Sequence, residues 1–159
     1  MTRILFVCLG NICRSPTAEG VMRHLASERG LAGELEIESA GTGSWHLGEP
    51  PDGRATGAAA RRGIRLEGSA RQVSQADLEH YDYVIAMDRE NLEDLRALAT
   101  GSQAEAEPVL LRSFDPDAVA GDELDVPDPY YGGADGFEVV LDVVARGCAG
   151  LLDEIEARG

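Results

Sequence analysis

Three residues near the start of the chain have types and spacing that could do chemistry together. Cys8, Arg14 and Ser15 lie at the two ends of residues 8–15, Cys-Leu-Gly-Asn-Ile-Cys-Arg-Ser. A thiolate is a strong nucleophile, and a guanidinium presents a fork of donors that matches two phosphoryl oxygens. The serine hydroxyl can donate a hydrogen bond to the sulfur. This arrangement predicts attack on a phosphate ester, although a buried cysteine before a helix cap would have the same spacing.

The loop between these residues is suited to surround an anion. The apolar residues 4–7 predict a strand, and proline within residues 15–19 predicts the first turn of a helix. Backbone N–H groups in such a turn, together with the helix N-terminus, can converge on one phosphate and favour the Cys8 thiolate. Gly10 and Asn11 tolerate the left-handed backbone that a tight turn needs. The predicted cradle and its supports are Leu9, Gly10, Asn11, Ile12, Cys13 and Ser15.

Strands and helices alternate along the rest of the chain. Further strands are predicted at residues 35–38, 83–87 and 109–111, and helices at residues 15–29, 54–62, 88–98 and 137–155. Residues 113–135 are rich in proline and aspartate and predict a long loop. The alternation predicts one doubly wound α/β domain over residues 1–159, with a central four-stranded parallel sheet and helices on both faces. Ligands of such sheets bind beyond the carboxyl ends of the strands, where the Cys8 loop falls.

Composition excludes several classes of protein. The formal net charge of −15, from 29 acidic and 14 basic residues, opposes binding to nucleic acid. No apolar run approaches the ~20 residues that span a bilayer, so we expect no membrane insertion and a cytoplasmic location. The 3 cysteines form no Cys-x-x-Cys pair, and the 3 histidines show no ligand spacing. We therefore expect no metal and no cofactor.

Residues 7–19 resemble the signature of the low molecular weight protein tyrosine phosphatases. The resemblance continues, in family order, through residues 39–42, 70–72, 86–88 and 128–132. It implies an enzyme that hydrolyses phosphotyrosine in proteins, and small aryl phosphates, through a phosphocysteine intermediate. The roles that it implies are nucleophile for Cys8, phosphate binder for Arg14, loop supports for Asn11 and Ser15, and general acid for Asp128.

A phenolate leaving group needs a proton, and five aspartates of the proline-rich segment could supply it. These are Asp115, Asp117, Asp122, Asp125 and Asp128. The residues alone leave the choice open. Asp128 takes priority because two flanking prolines restrict its backbone and because the family motif falls there; we interpret the other four as a solvated acidic loop. A carboxyl group that must be protonated predicts an acidic optimum for aryl phosphate hydrolysis.

Aromatic residues near these segments could form a slot for a phenyl ring. We expect Trp45, Tyr130 and Tyr131 at its rim, with ordinary packing as the alternative. Tyr130 and Tyr131 are also candidate acceptors for a partner tyrosine kinase, which would add negative charge at the entrance.

Cys13 is either a small buried residue or a partner for reversible disulfide formation with Cys8.

Related activities give alternative interpretations. Phosphoarginine phosphatases of the same fold carry Thr where this chain has Ile12, and arsenate reductases need two further cysteines, which residues 87–113 lack. An inert phosphopeptide-binding module would have no use for a nucleophile and an acid.

The chain also departs from the family, which often places His-Lys where Gly68-Ser69 stands, so a histidine contact to Asn11 is not expected. The basic residues between 54 and 71 predict a solvated helix face.

Overall fold

The computed structural model describes residues 1–130, 132–133 and 135–159. Within them, parallel strands β1 (Thr2–Cys8), β2 (Leu35–Gly41), β3 (Tyr83–Ala86) and β4 (Val109–Leu110) form one sheet in the order β2-β1-β3-β4. This is the predicted doubly wound fold with four parallel strands. Strand β2 lies on one side of β1, and β3 and β4 lie on the other side. The carboxyl end of β1 is therefore the switch point at which such folds bind ligands.

Helices cover both faces of this sheet. Described α-helices are α1 (Arg14–Glu28), α2 (Gly53–Ala60), α3 (Gln75–His80), α4 (Arg89–Ala99), α5 (Pro116–Ala120) and α6 (Asp135–Arg158). Short 3₁₀ turns lie at Ala32–Glu34 and Leu111–Phe114. Ile4 and Phe6 of β1 pack in a core with α1, α2 and α6, whereas Leu5 and Val7 pack in a core with α3 and α4. Burial on both faces explains why β1 is a continuous apolar run.

Some element boundaries differ from the sequence predictions. Strand β2 continues through Gly41 because its pairing with β1 extends to Cys8. Helix α3, which was not among the helices predicted from the sequence, begins with a capping box between Ser74 and Asp77. The predicted loop 113–135 contains α5, because the Asp115 side chain caps that helix and Pro116 occupies its first turn.

Two glycines of α6 permit close packing against the neighbouring 3₁₀ turn. A Cβ atom at Gly147 would lie 2.6 Å from Leu111 Cγ, and one at Gly150 would overlap the backbone carbonyl of Phe114. The 3₁₀ turn therefore contacts the helix at a separation that any side chain at these positions would prevent. No helix in the part of the chain that the structure describes is long and apolar enough to cross a membrane.

Candidate active site

A cavity of about 420 Å³ opens where β1 ends and α1 begins. It brings together nine of the residues predicted for the site and adds His46. The lining residues are Cys8, Leu9, Gly10, Ile12, Cys13, Arg14, Trp45, His46, Asp128 and Tyr130. Asn11 and Ser15 are buried beside the loop and contact Cys8. Tyr131, predicted at the rim, lies outside the described residues.

The backbone of the loop turns back toward the Cys8 sulfur and donates a hydrogen bond to it. Asn11 adopts a left-handed conformation with φ of 57°, and its backbone N–H donates to Cys8 Sγ at 3.2 Å. Residue Gly41 lies so close behind the loop that a Cβ there would be 2.7 Å from the Leu9 carbonyl oxygen. The turn geometry predicted for an anion cradle is therefore present, and strand β2 supports it from behind.

A second hydrogen bond to the sulfur comes from a serine. Ser15 Oγ lies 3.0 Å from Cys8 Sγ, and Asn11 Nδ2 donates to the same hydroxyl oxygen at 2.8 Å. The hydroxyl proton is free to point to the sulfur, since the other acceptor, the Ala40 carbonyl oxygen, is farther away at 3.4 Å. Two donors on one sulfur stabilise a thiolate.

Asn11 is held in place without the histidine that the family often provides. Its Nδ2 atom also donates to Ser39 Oγ at 3.0 Å, and its Oδ1 atom accepts from the Arg71 backbone N–H at 3.0 Å. Gly68, within the departure from the family pattern, is exposed with a φ of 91°. Backbone and serine contacts therefore satisfy the side-chain amide that positions Ser15.

Arg14 is buried and anchored at one end. Its Nη1 atom donates to an Asp88 carboxylate oxygen at 2.6 Å and to the Val126 carbonyl at 3.0 Å, and Nη2 lies 3.7 Å from Asp128. Burial opposes its charge, but the neighbouring Cys8, Asp88 and Asp128 together raise the pKa of Arg14. The guanidinium stays cationic, and an arginine held through Nη1 can present its other N–H groups to an anion.

Sequence reasoning missed the role of Asp88. Its side chain accepts from the Asn91 N–H as the cap of α4 and also holds Arg14, 74 residues away in sequence. Its place directly after β3, at the carboxyl edge of the sheet, was the available signal. His46, which shows no metal-ligand spacing in the sequence, also lines the cavity, with its Nδ1 atom 2.6 Å from Glu49 Oε2.

The two cysteines of the loop differ in their electrostatics. Burial, followed by the negative charges of Asp52 and Cys8, raises the pKa of Cys13 to about 12. Cys13 is therefore a neutral thiol at physiological pH, beside a residue whose sulfur accepts two hydrogen bonds. Burial also raises the pKa of Cys148, whose thiol donates to the Ala18 carbonyl in the core and cannot serve as a relay cysteine for arsenate reduction.

Among the five aspartates, only Asp128 lines the cavity. One Asp128 oxygen accepts from the Tyr130 N–H at 3.0 Å, and its side chain is 44% exposed, so it can be reached by a substrate. The interpretation of Asp115 as solvated is wrong. It is buried because it caps α5 and pairs with Arg146 at 3.3 Å. The remaining aspartates, Asp117, Asp122 and Asp125, are exposed.

Aromatic and cationic side chains form one side of the cavity. Tyr130 is half-buried, with its ring 6.0 Å from that of His46 and 5.4 Å from the Arg54 guanidinium. Arg54 also lies 4.8 Å from the Phe137 ring, so it supports the rim and is not simply part of a solvated face. Across residues 1–130, 132–133 and 135–159, no group of three or more His, Cys, Asp or Glu side chains could hold a metal ion.

The fold and the cavity together define a small α/β protein with a cysteine and an arginine in the loop that joins β1 to α1. Comparison with protein families identifies it further. The family model described as low molecular weight phosphotyrosine protein phosphatase matches residues 3–159. The chain belongs to this family.

Known relatives are similar over nearly their whole length. A low molecular weight protein-tyrosine-phosphatase of Streptomyces coelicolor is 48% identical, with 98% of this chain and 97% of that protein covered. The crystal structure of YfkJ from Bacillus subtilis has a TM-score of 0.90 at 44% identity, covering 99% and 96% of the two chains. The structure of DARP, a Drosophila arginine phosphatase, has a TM-score of 0.90 at 30% identity, covering 98% of each chain.

Proposed function

We propose that Cys8 is the nucleophile, Arg14 the phosphate binder and Asp128 the general acid of a protein tyrosine phosphatase. Family membership makes the chain a cysteine-dependent enzyme of this class. The observation that carries the assignment is the Cys8 sulfur, which accepts from Asn11 N–H and Ser15 Oγ at the base of a cavity lined by Arg14. Its substrates are phosphotyrosine in proteins and small aryl phosphates.

The first chemical step forms a phosphocysteine. The phosphoryl oxygens bind to the loop N–H groups and to Arg14, and Cys8 Sγ attacks phosphorus opposite the ester oxygen. The S–P bond forms as the P–O bond breaks, and its electron pair remains on the phenol oxygen. Asp128, at the cavity wall, gives that oxygen its proton. The phenol leaves neutral, and Asp128 is left as a carboxylate.

The second step hydrolyses the phosphocysteine. Asp128, now a carboxylate, accepts a proton from a water molecule that attacks phosphorus. The S–P bond breaks, its electron pair returns to Cys8, and inorganic phosphate leaves. Ser15 and the Asn11 N–H stabilise the departing thiolate at their distances of 3.0 Å and 3.2 Å from sulfur.

Phosphoarginine is the second candidate substrate. Its support is the similarity to the Drosophila arginine phosphatase over 98% of each chain. Ile12 favours phosphotyrosine, because this apolar side chain lines the cavity where an aryl ring would pack. Relative kcat/KM on one peptide carrying phosphotyrosine or phosphoarginine separates the two; preference for phosphoarginine would overturn the substrate assignment.

The nucleophile is tested by substitution. Cys8→Ser should abolish turnover of p-nitrophenyl phosphate, since serine is a far weaker nucleophile at neutral pH. Cys148→Ala, which removes a thiol remote from the cavity, is the matched control and should retain most of the activity. Substantial turnover by Cys8→Ser would contradict the proposed mechanism.

Two further features belong to the proposal. A cytoplasmic location is supported by the three cysteines, all free, since the nucleophile works only as a reduced thiol.

A tyrosine kinase partner is supported by the place of Tyr130 at the cavity wall, where a phosphate would repel anionic substrates. The intact mass of the protein after incubation with a tyrosine kinase tests this partner. The absence of an added phosphate would contradict the kinase proposal.

A further inference from the structure

A second recess lies beside the catalytic cavity. Its volume is about 330 Å³, and it is bounded by the loop after β2 and by helix α4. Leu9 and Trp45 line both the recess and the catalytic cavity, so they form a wall common to the two. A chain segment that places one residue in the cavity can therefore reach the recess with a neighbouring residue.

The wall is exposed, and its indole ring packs against a glycine. Trp45 is 72% exposed and Leu9 is 40% exposed, so together they present apolar surface to solvent at the mouth of the site. The indole ring of Trp45 lies directly against Gly43, where a Cβ atom would overlap it. The absence of a side chain at Gly43 leaves room for the ring, which presents an aromatic surface to a bound peptide.

The recess combines apolar walls with one carboxylate. Val73 and Leu98 add aliphatic surface, and Asp94 on α4 adds a negative charge. Among the side chains that the structure describes, no cation lies within ion-pair distance of Asp94. A long aliphatic stem with a cationic end fits this combination, because its stem covers apolar surface while its charge meets the carboxylate. A cation beside an indole ring gains further attraction.

We propose that this recess, which we call the flanking recess, binds a Lys or Arg side chain next to the phosphotyrosine of a protein substrate. The inference rests on the proposed function and extends it from the phosphorylated residue to its sequence context. Complementary charge also favours such substrates at long range, since the whole chain carries −15. The flanking recess is the specific site at which the cationic side chain of such a substrate would bind.

Peptide kinetics tests the proposal. One phosphotyrosine peptide is made with Arg, norleucine or Glu at each position flanking the phosphotyrosine, and kcat/KM is measured at low salt. We expect one position at which Arg exceeds norleucine by roughly three- to tenfold, the range for a weak ion pair with a cation–π contact. Asp94→Asn should lower this ratio to the smaller value that contact with Trp45 alone gives, and Asp94→Arg should make the Glu peptide the better substrate.

The matched control is Glu93→Gln, which removes the same charge from an exposed neighbour on α4 that does not line the recess. It should keep the preference for Arg. Equal loss in the two variants would mean that only net charge matters, and absence of a position-dependent preference in the wild type would also overturn the proposal. Hydrolysis of free phosphotyrosine distinguishes failure of this proposal from failure of the proposed function. If the wild type does not hydrolyse free phosphotyrosine, the proposed function is wrong, and not only the role of the flanking recess.

Discussion

Cys8 and Cys13 lie in one loop, separated by four residues, but have different surroundings. Cys8 accepts hydrogen bonds from Asn11 N–H and Ser15, whereas burial raises the pKa of Cys13 to about 12. A raised pKa means that Cys13 is a neutral thiol at physiological pH and therefore a weak nucleophile. The environment, not the residue type, selects the nucleophile.

This difference predicts selective alkylation. At pH 7, iodoacetamide should modify Cys8 first and leave Cys13 unmodified in the folded protein, because only the thiolate reacts. Peptide mapping by mass spectrometry measures both sites in one digest, and inorganic phosphate should protect Cys8. Modification of Cys13 at the same rate as Cys8 would contradict the assignment.

A second prediction concerns Asp128. Asp128→Asn cannot donate a proton to the leaving group, so hydrolysis of phosphotyrosine should fall by roughly 10²- to 10⁴-fold. The loss should be much smaller for p-nitrophenyl phosphate, whose leaving group is stable without a proton. The comparison of first-step rates for the two substrates is the measurement, and equal losses would disprove the role of Asp128 as acid.

Some residues of the site could be predicted from the sequence and others could not. Cys8, Arg14 and Ser15 lie within one short segment, so their spacing alone indicated a common site, and the family motif drew attention to Asp128. Asp88 reaches Arg14 across 74 residues, a contact that only the parallel strand order creates. His46 showed no ligand spacing, and its place at the cavity depends on the path of the loop after β2.

Helix α6 shows how contacts between elements change the meaning of a residue. Glycine has a low helix propensity and by itself weakens a helix interior. Instead, Gly147 and Gly150 let the turn Leu111–Phe114 pack against the helix. Helix α5 was also missed, because its five residues lie in a segment whose composition is typical of a loop. The long apolar and amphipathic elements, such as β1 and α1, were predicted correctly in type.

The packing at α6 leads to a stability prediction with a matched control. Gly150→Ala should destabilise the protein by about 1–3 kcal/mol, because its methyl group would overlap the Phe114 carbonyl. Gly57→Ala in helix α2 should be neutral or stabilising by up to about 1 kcal/mol, since the nearest atom to its Cβ is Arg61 Nη1 at 3.7 Å. Urea denaturation gives both free energies of unfolding. A destabilisation by Gly57→Ala as large as that by Gly150→Ala would contradict the packing argument.

The whole chain depends on one central strand. Strand β1 contributes side chains to the cores on both faces of the sheet and ends at Cys8, so neither core is complete without it. The prediction of one domain over residues 1–159 therefore implies a single cooperative unfolding transition. Circular dichroism and tryptophan fluorescence should give coincident denaturation curves. Two separated transitions would show that the cores unfold independently.

The central claim is that Cys8 carries the phosphoryl group between the two chemical steps. Asp128→Asn slows breakdown of the intermediate, so this variant is mixed with p-nitrophenyl phosphate, and the reaction is stopped rapidly with denaturant at neutral pH. Tandem mass spectrometry then locates the added phosphoryl group. We predict it on Cys8, and its loss in the double variant with Cys8→Ser. A phosphoryl group on Cys13 or another residue, or turnover without any adduct, would contradict the mechanism.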